Sequence, residues 1–63
     1  MVHVDVEYRV EGAEGNVVLT TKRRSKAYKA MVDNDRLYKL FKISFDFDSR
    51  TLIEITVQKR LTR

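Results

Sequence analysis

The sequence predicts an α+β fold: one small ββαββ domain whose four-stranded sheet carries a single helix on one face. Three observations point there. Apolar and polar residues alternate with period two near both ends and again from Phe41, which is strand patterning. One internal stretch instead has helical spacing. Both glycines fall within the six residues Glu11–Asn16, between the first two alternating stretches. Sixty-three residues leave no room for a second core.

The first strand is the clearest element. Val2, Val4, Val6, Tyr8 and Val10 alternate with His3, Asp5, Glu7 and Arg9, giving one buried and one wet face. Gly12 and Gly15 tolerate positive φ, so the segment that holds them reads as a hairpin connection. A second strand follows over about 17–22, with Val17, Leu19 and Thr21 on one face.

Ser25 suits an N-cap. Ala27, Ala30, Met31, Asn34, Leu37, Tyr38 and Phe41 then recur at helical spacing. A strand pattern competes with this one, because Phe41, Ile43, Phe45 and Phe47 alternate with Lys42, Ser44, Asp46 and Asp48. Asp33-Asn34-Asp35 favours caps and turns over helix interior. The helix is therefore placed at about 25–35 and the third strand at about 38–47, with its three phenylalanines in the core. Asp48-Ser49-Arg50-Thr51 is a turn by composition. Ile53, Ile55 and Val57 alternate with Glu54, Thr56 and Gln58 to predict a fourth strand over about 52–59, and residues 60–63 are expected to fray.

A right-handed crossover through the helix would set the first and last strands side by side, in spatial order 2-1-4-3. This element order resembles that of β-grasp domains. The likeness is one of element order alone and brings no activity with it.

Several function classes are excluded by composition. The chain has no cysteine, hence no disulfide and no thiolate metal site, and His3 alone makes no imidazole cluster. Asp33, Asp35, Asp46 and Asp48 lack the glycine-containing spacing of a calcium loop and read as turn and cap residues. Ser25, Ser44 and Ser49 have only His3 to activate them, and there is no phosphate-cradling glycine loop. No catalysis, cofactor or metal is expected. No apolar run approaches the ~20 residues of a bilayer span. The alternating, acid-bearing N-terminus is unlike a secretory leader. A cytoplasmic protein without a membrane partner is the expectation, in keeping with the lack of cysteine.

Charge is the informative property. The net value is +4, yet residues 1–19 hold one cation against four acids and residues 20–63 hold twelve against five. Lys22, Arg23, Arg24, Lys26 and Lys29 crowd the expected start of the helix, and no acid occurs between Glu14 and Asp33. Cations there oppose the helix dipole and repel one another at i,i+3 and i,i+4. Tolerating that in a domain worth ~3–5 kcal/mol argues for use, and phosphate is the simplest counter-charge. Lys59, Arg60 and Arg63 extend the set if the last strand ends at the same edge. Tyr28, one turn after Arg24, either stacks on an unpaired base or seals the helix–sheet seam.

The first reading is therefore a small nucleic-acid-binding protein that contacts DNA or RNA phosphates without base specificity. The runner-up is a protein-binding regulator or inhibitor of the phage or mobile-element kind, whose strand edges pair with a partner. The third is a structural homodimer through an exposed patch of Val18, Tyr38 and Leu40. The wet sheet face, with His3, Asp5, Glu7 and Arg9 beside Glu54, Thr56, Gln58 and Arg60, is expected to be satisfied by cross-strand pairs.

Overall fold

The computed structural model describes residues 2–48 and 50–62, Phe47 by its backbone alone. The elements are β1 (Val2–Glu11), β2 (Val17–Thr21), α1 (Arg24–Ala30), β3 (Arg36–Asp48) and β4 (Thr51–Leu61). The ββαββ order and the helix on one face are as the alternation predicts. Every strand pairing is antiparallel.

The spatial order differs: it is β2-β1-β3-β4, so β3 and not β4 lies beside β1. α1 lies over β2 and β1, and the turn that follows it enters the sheet at the next place, beside β1.

Helix α1 is shorter than 25–35 at its C-terminal end. Met31 is already extended, with φ −73° and ψ 129°. A turn follows in which the Asp35 amide donates to the Val32 carbonyl at 3.0 Å, and the Val32 amide donates to Asp35 Oδ2 at 3.1 Å. Asp33 takes positive φ (49°), a conformation open to Asp and Asn. Asp33-Asn34-Asp35 thus acts as a turn, releasing β3 two residues earlier than expected. At the N-terminal end Arg23, not Ser25, holds the cap position, without a side-chain cap hydrogen bond. The Arg23 amide instead donates to Thr21 Oγ1 at 3.1 Å.

The hairpin connections behave as read. Gly15 has φ 88°, and its amide donates to the Gly12 carbonyl at 2.9 Å. At the β3–β4 tip, Asp48 Oδ1 accepts from the amides of Arg50 (2.7 Å) and Thr51 (2.9 Å). Ser49 of the expected turn, the core position of Phe47 and the contact assigned to Arg63 lie outside the described residues. Arg60 and Leu61, expected to fray, pair in β4 with Tyr38 and Leu37.

Register settles which residues share a face. The helix side carries the rungs Val2–Phe45–Ile53, Val4–Ile43–Ile55, Val6–Phe41–Val57, Tyr8–Lys39–Lys59 and Val10–Leu37–Leu61, with Leu19 beyond Val10. α1 covers only the last of these. The core is Val10, Ala27, Met31 and Leu37, with Tyr8, Leu19, Tyr28, Ala30 and Leu61 packed against it; Val10 and Leu37 are fully enclosed. Phe41 and Phe45, expected in the core, lie on the apolar side but only half-buried, because the helix ends short of them. The molecule is correspondingly long, 46 × 22 × 16 Å.

The opposite face carries His3–Ser44–Glu54, Asp5–Lys42–Thr56, Glu7–Leu40–Gln58 and Arg9–Tyr38–Arg60. Its β1 and β4 residues share a face as expected, with β3 between them. Arg9 braces it: Nη2 donates to Gln58 Oε1 at 2.6 Å, and the guanidinium lies 5.7 Å from the centre of the Tyr38 ring. Arg9 Nε stands 2.8 Å from Glu11 Oε2, an ion pair whose N–H is not aimed along the contact. Lys42 pairs with Glu7 at 3.1 Å.

Truncating the enclosed Leu37 removes contacts on both sides of the helix–sheet seam. Leu37→Ala should cost about 2–5 kcal/mol, comparable to the whole stability of so small a domain. Urea unfolding monitored by circular dichroism should then show little or no native baseline.

Candidate nucleic-acid interface

The basic run begins where β2 ends. The short link to α1 turns the backbone, so successive cations leave in different directions. Lys22 continues the alternation of β2 toward the polar face and lies 3.5 Å from Asp5 Oδ2. Arg23 and Lys26 are exposed, as is Lys29 in the last turn. Ala27 turns inward to the core, so Lys26 and Lys29 occupy the outer flank of the helix.

Arg24 is held from below. Its Nη2 lies 3.5 Å from the Tyr28 hydroxyl, and its guanidinium carbon is 5.3 Å from that ring's centre. The Tyr28 hydrogen bond, then the charge interaction with Tyr28, raise the already high pKa of Arg24; Tyr8 adds a smaller effect. Arg24 therefore keeps its charge at any relevant pH. Tyr28 is half-buried and packed on the core, which makes it the seal of the seam and leaves its ring beneath Arg24.

Strand alternation separates the two C-terminal cations. Lys59 stands on the helix side, in the rung with Tyr8 and Lys39. Arg60 turns to the opposite face beside Tyr38 and lines a groove of about 220 Å3 with Arg36, Asp33 and Asp35. Two carboxylates thus share the field around Arg60. The seven cations singled out from sequence do not converge: Arg23, Arg24, Lys26, Lys29 and Lys59 stand on the helix or helix side, while Lys22 and Arg60 point to the other face.

Lys39 joins the first group and escaped the sequence reading. Its signal was present, since it is a lysine in phase with Leu37, Phe41 and Ile43 on an otherwise apolar face. Its ammonium lies 5.0 Å from the centre of the Phe41 ring. Glu11, Asp5 and Glu7 pair with Arg9, Lys22 and Lys42. Among the described residues, Arg23, Arg24, Lys26, Lys29, Lys39 and Lys59 have no acidic partner.

Charge also divides along the length of the molecule. On the helix-bearing side of the Val6–Phe41–Val57 rung, the described residues include ten Lys and Arg against five acids. The remainder holds Lys42 and Arg50 against Asp5, Asp46, Asp48 and Glu54.

The patch of Val18, Tyr38 and Leu40 does not form. β1 lies between β2 and β3, Tyr38 lies under Arg9, and Leu40 is only 6% exposed between its polar neighbours. The polar face has an open groove of about 470 Å3 lined by His3, Asp5, Lys42, Ser44, Glu54 and Thr56. Ser44 stands between His3 and Glu54, whereas an acyl-transfer relay needs histidine in the middle. Among the described residues no cluster of three or more His, Asp or Glu could hold a metal ion, and no helix is long and apolar enough to cross a membrane.

Comparison with protein-family models, curated proteins and solved structures returns no match.

Tyr28 seals the seam with its ring. Tyr28→Phe should leave the thermal midpoint nearly unchanged, while Tyr28→Ala should destabilise by roughly 2 kcal/mol or more. Thermal melts of the two variants check this; equal losses would mean that the hydroxyl, not the ring, carries the contact.

Proposed function

We propose that this protein is a small non-catalytic module that binds nucleic acid through phosphate contacts made by its helix-bearing half. The observation carrying the reading is a set of six cations on the helix and its side of the sheet that have no acidic partner among the described residues: Arg23, Arg24, Lys26, Lys29, Lys39 and Lys59. In so small a chain, with acids available on neighbouring strands, leaving these charges uncompensated costs self-repulsion. A polyanion removes that cost and gains the entropy of released counterions.

The contacts supported are to the backbone. A cluster of flexible lysines and arginines matches phosphate spacing but carries no donor–acceptor code for bases. Tyr28 lies beneath Arg24 and supplies no free stacking face, which favours duplex or structured nucleic acid over single strands read by stacking.

Fluorescence anisotropy with a labelled duplex and a labelled single strand tests the reading. With about five phosphate contacts, affinity should fall several hundred-fold between 50 and 200 mM salt. Lys26→Glu/Lys29→Glu should weaken binding to every sequence alike and flatten the salt slope by about two contacts. Absence of binding at low salt, or unchanged affinity in that variant, would sink the proposal.

A further inference from the structure

We infer that the protein pairs with a second copy of itself through the half of the apolar sheet face that α1 leaves uncovered. This surface adjoins the Lys39–Lys59 rung but lies away from the cations of α1, and its test does not depend on the nucleic-acid reading.

The surface is large and continuous. Three consecutive rungs across β1, β3 and β4 present nine apolar side chains, centred on Val4–Ile43–Ile55. Val4 is 54% exposed and Ile55 48%, although both point to the side on which the core lies. Scattered exposed valines are ordinary on protein surfaces; a three-by-three block in register is not.

Size identifies the occupant. A compact monomer of 7.5 kDa is expected to expose about 4,250 Å2, and this one exposes 4969 Å2. The excess is about 700 Å2, so two copies would together bury about 1,400 Å2, within the range of about 1,200–2,000 Å2 for specific complexes. The radius of gyration agrees: 14.1 Å against about 10.6 Å for a compact chain of this length.

Shape favours an identical sheet. α1 and a packed second sheet each occupy a layer about 10 Å deep, so a partner sheet fits beside the helix at the same height. A two-fold axis along the Val4–Ile43–Ile55 rung sets that rung on itself. It also carries the Lys39–Lys59 rung of each copy over the β3–β4 tip of its partner. An isologous contact closes on itself as a dimer and leaves no further apolar surface to propagate.

Sedimentation equilibrium of the full chain, nuclease-treated and in high salt, tests this. The expected result is a species of twice 7.5 kDa at tens of micromolar. Val4→Glu/Ile55→Glu should raise the dissociation constant by about a hundredfold or more, since each carboxylate would be buried without a partner. Ile55→Thr keeps strand propensity and branching, so it guards against loss of fold in the double variant; it should raise the constant about tenfold while the circular dichroism spectrum is retained. A wild-type monomer under these conditions overturns the inference. So does a dimer unaffected by either variant, which would assign the contact to the open edge of β4.

Discussion

Helix α1 rises about 10 Å over its seven residues, whereas β3 runs about 40 Å over thirteen. This difference in length divides the apolar side of the sheet into a covered end and an open one. At the covered end Val10, Leu37, Ala27 and Met31 close a core. At the open end the same alternation continues through Phe41, Ile43 and Phe45, beyond the reach of α1. Strand order goes with the same placement, since α1 lies over β2 and β1 and the turn after it enters the sheet beside β1. The polar face responds with side chains in place of a second layer, as Arg9 spans from Glu11 over Tyr38 to Gln58.

Electrostatics follows the same division. The link between β2 and α1 spreads the basic run around the helix, and only Lys22 finds an acid, at 3.5 Å. Acids that could have neutralised the rest stand on the polar face, at the distal end, in the first hairpin loop or in the Asp33–Asp35 turn beyond the helix. The helix opens with no acid in its first turn and no side-chain cap, so its N-terminus gains nothing locally that would offset the cations. Stability must then come from the seam that Ala27 and Tyr28 make with the sheet. The domain tolerates charge exposure at one end because packing is concentrated there.

Much of this was legible in the sequence. Strict alternation located β1 to within a residue, the glycine pair located the first hairpin, and Asp48 located the second. Period-two patterns are explicit because each strand has one apolar side. The end of α1 was obscured because Ala27, Ala30 and Met31 are followed by Leu37 and Phe41 at helical spacing, while the Asp33–Asp35 turn that ends it depends on side-chain hydrogen bonding. Pairing order was not legible, since every strand offers the same kind of apolar face and no local pattern chooses among them. The separation of Lys59 from Arg60 needs only the knowledge that β4 continues to Leu61; with that, alternation forces it. The tertiary position of Tyr38 and Leu40 followed no local rule. Both lie out of phase with the apolar residues of β3 and are covered by long polar side chains from neighbouring strands.

The two ends of the molecule also constrain each other. Pairing two copies of a chain with charge +4 brings like charges together, and a contact near the cations would oppose itself. A two-fold axis along the Val4–Ile43–Ile55 rung avoids this. Val10, beneath α1, stands six residues from Val4, about 20 Å along the strand. The helices of a pair would therefore lie about 40 Å apart, several times the ~8 Å screening length at physiological salt. Repulsion between the basic ends is then negligible where apolar contact is made. Confining the cations to the helix end leaves the rest of the sheet free for association, and an arrangement that mixed the two surfaces would weaken both.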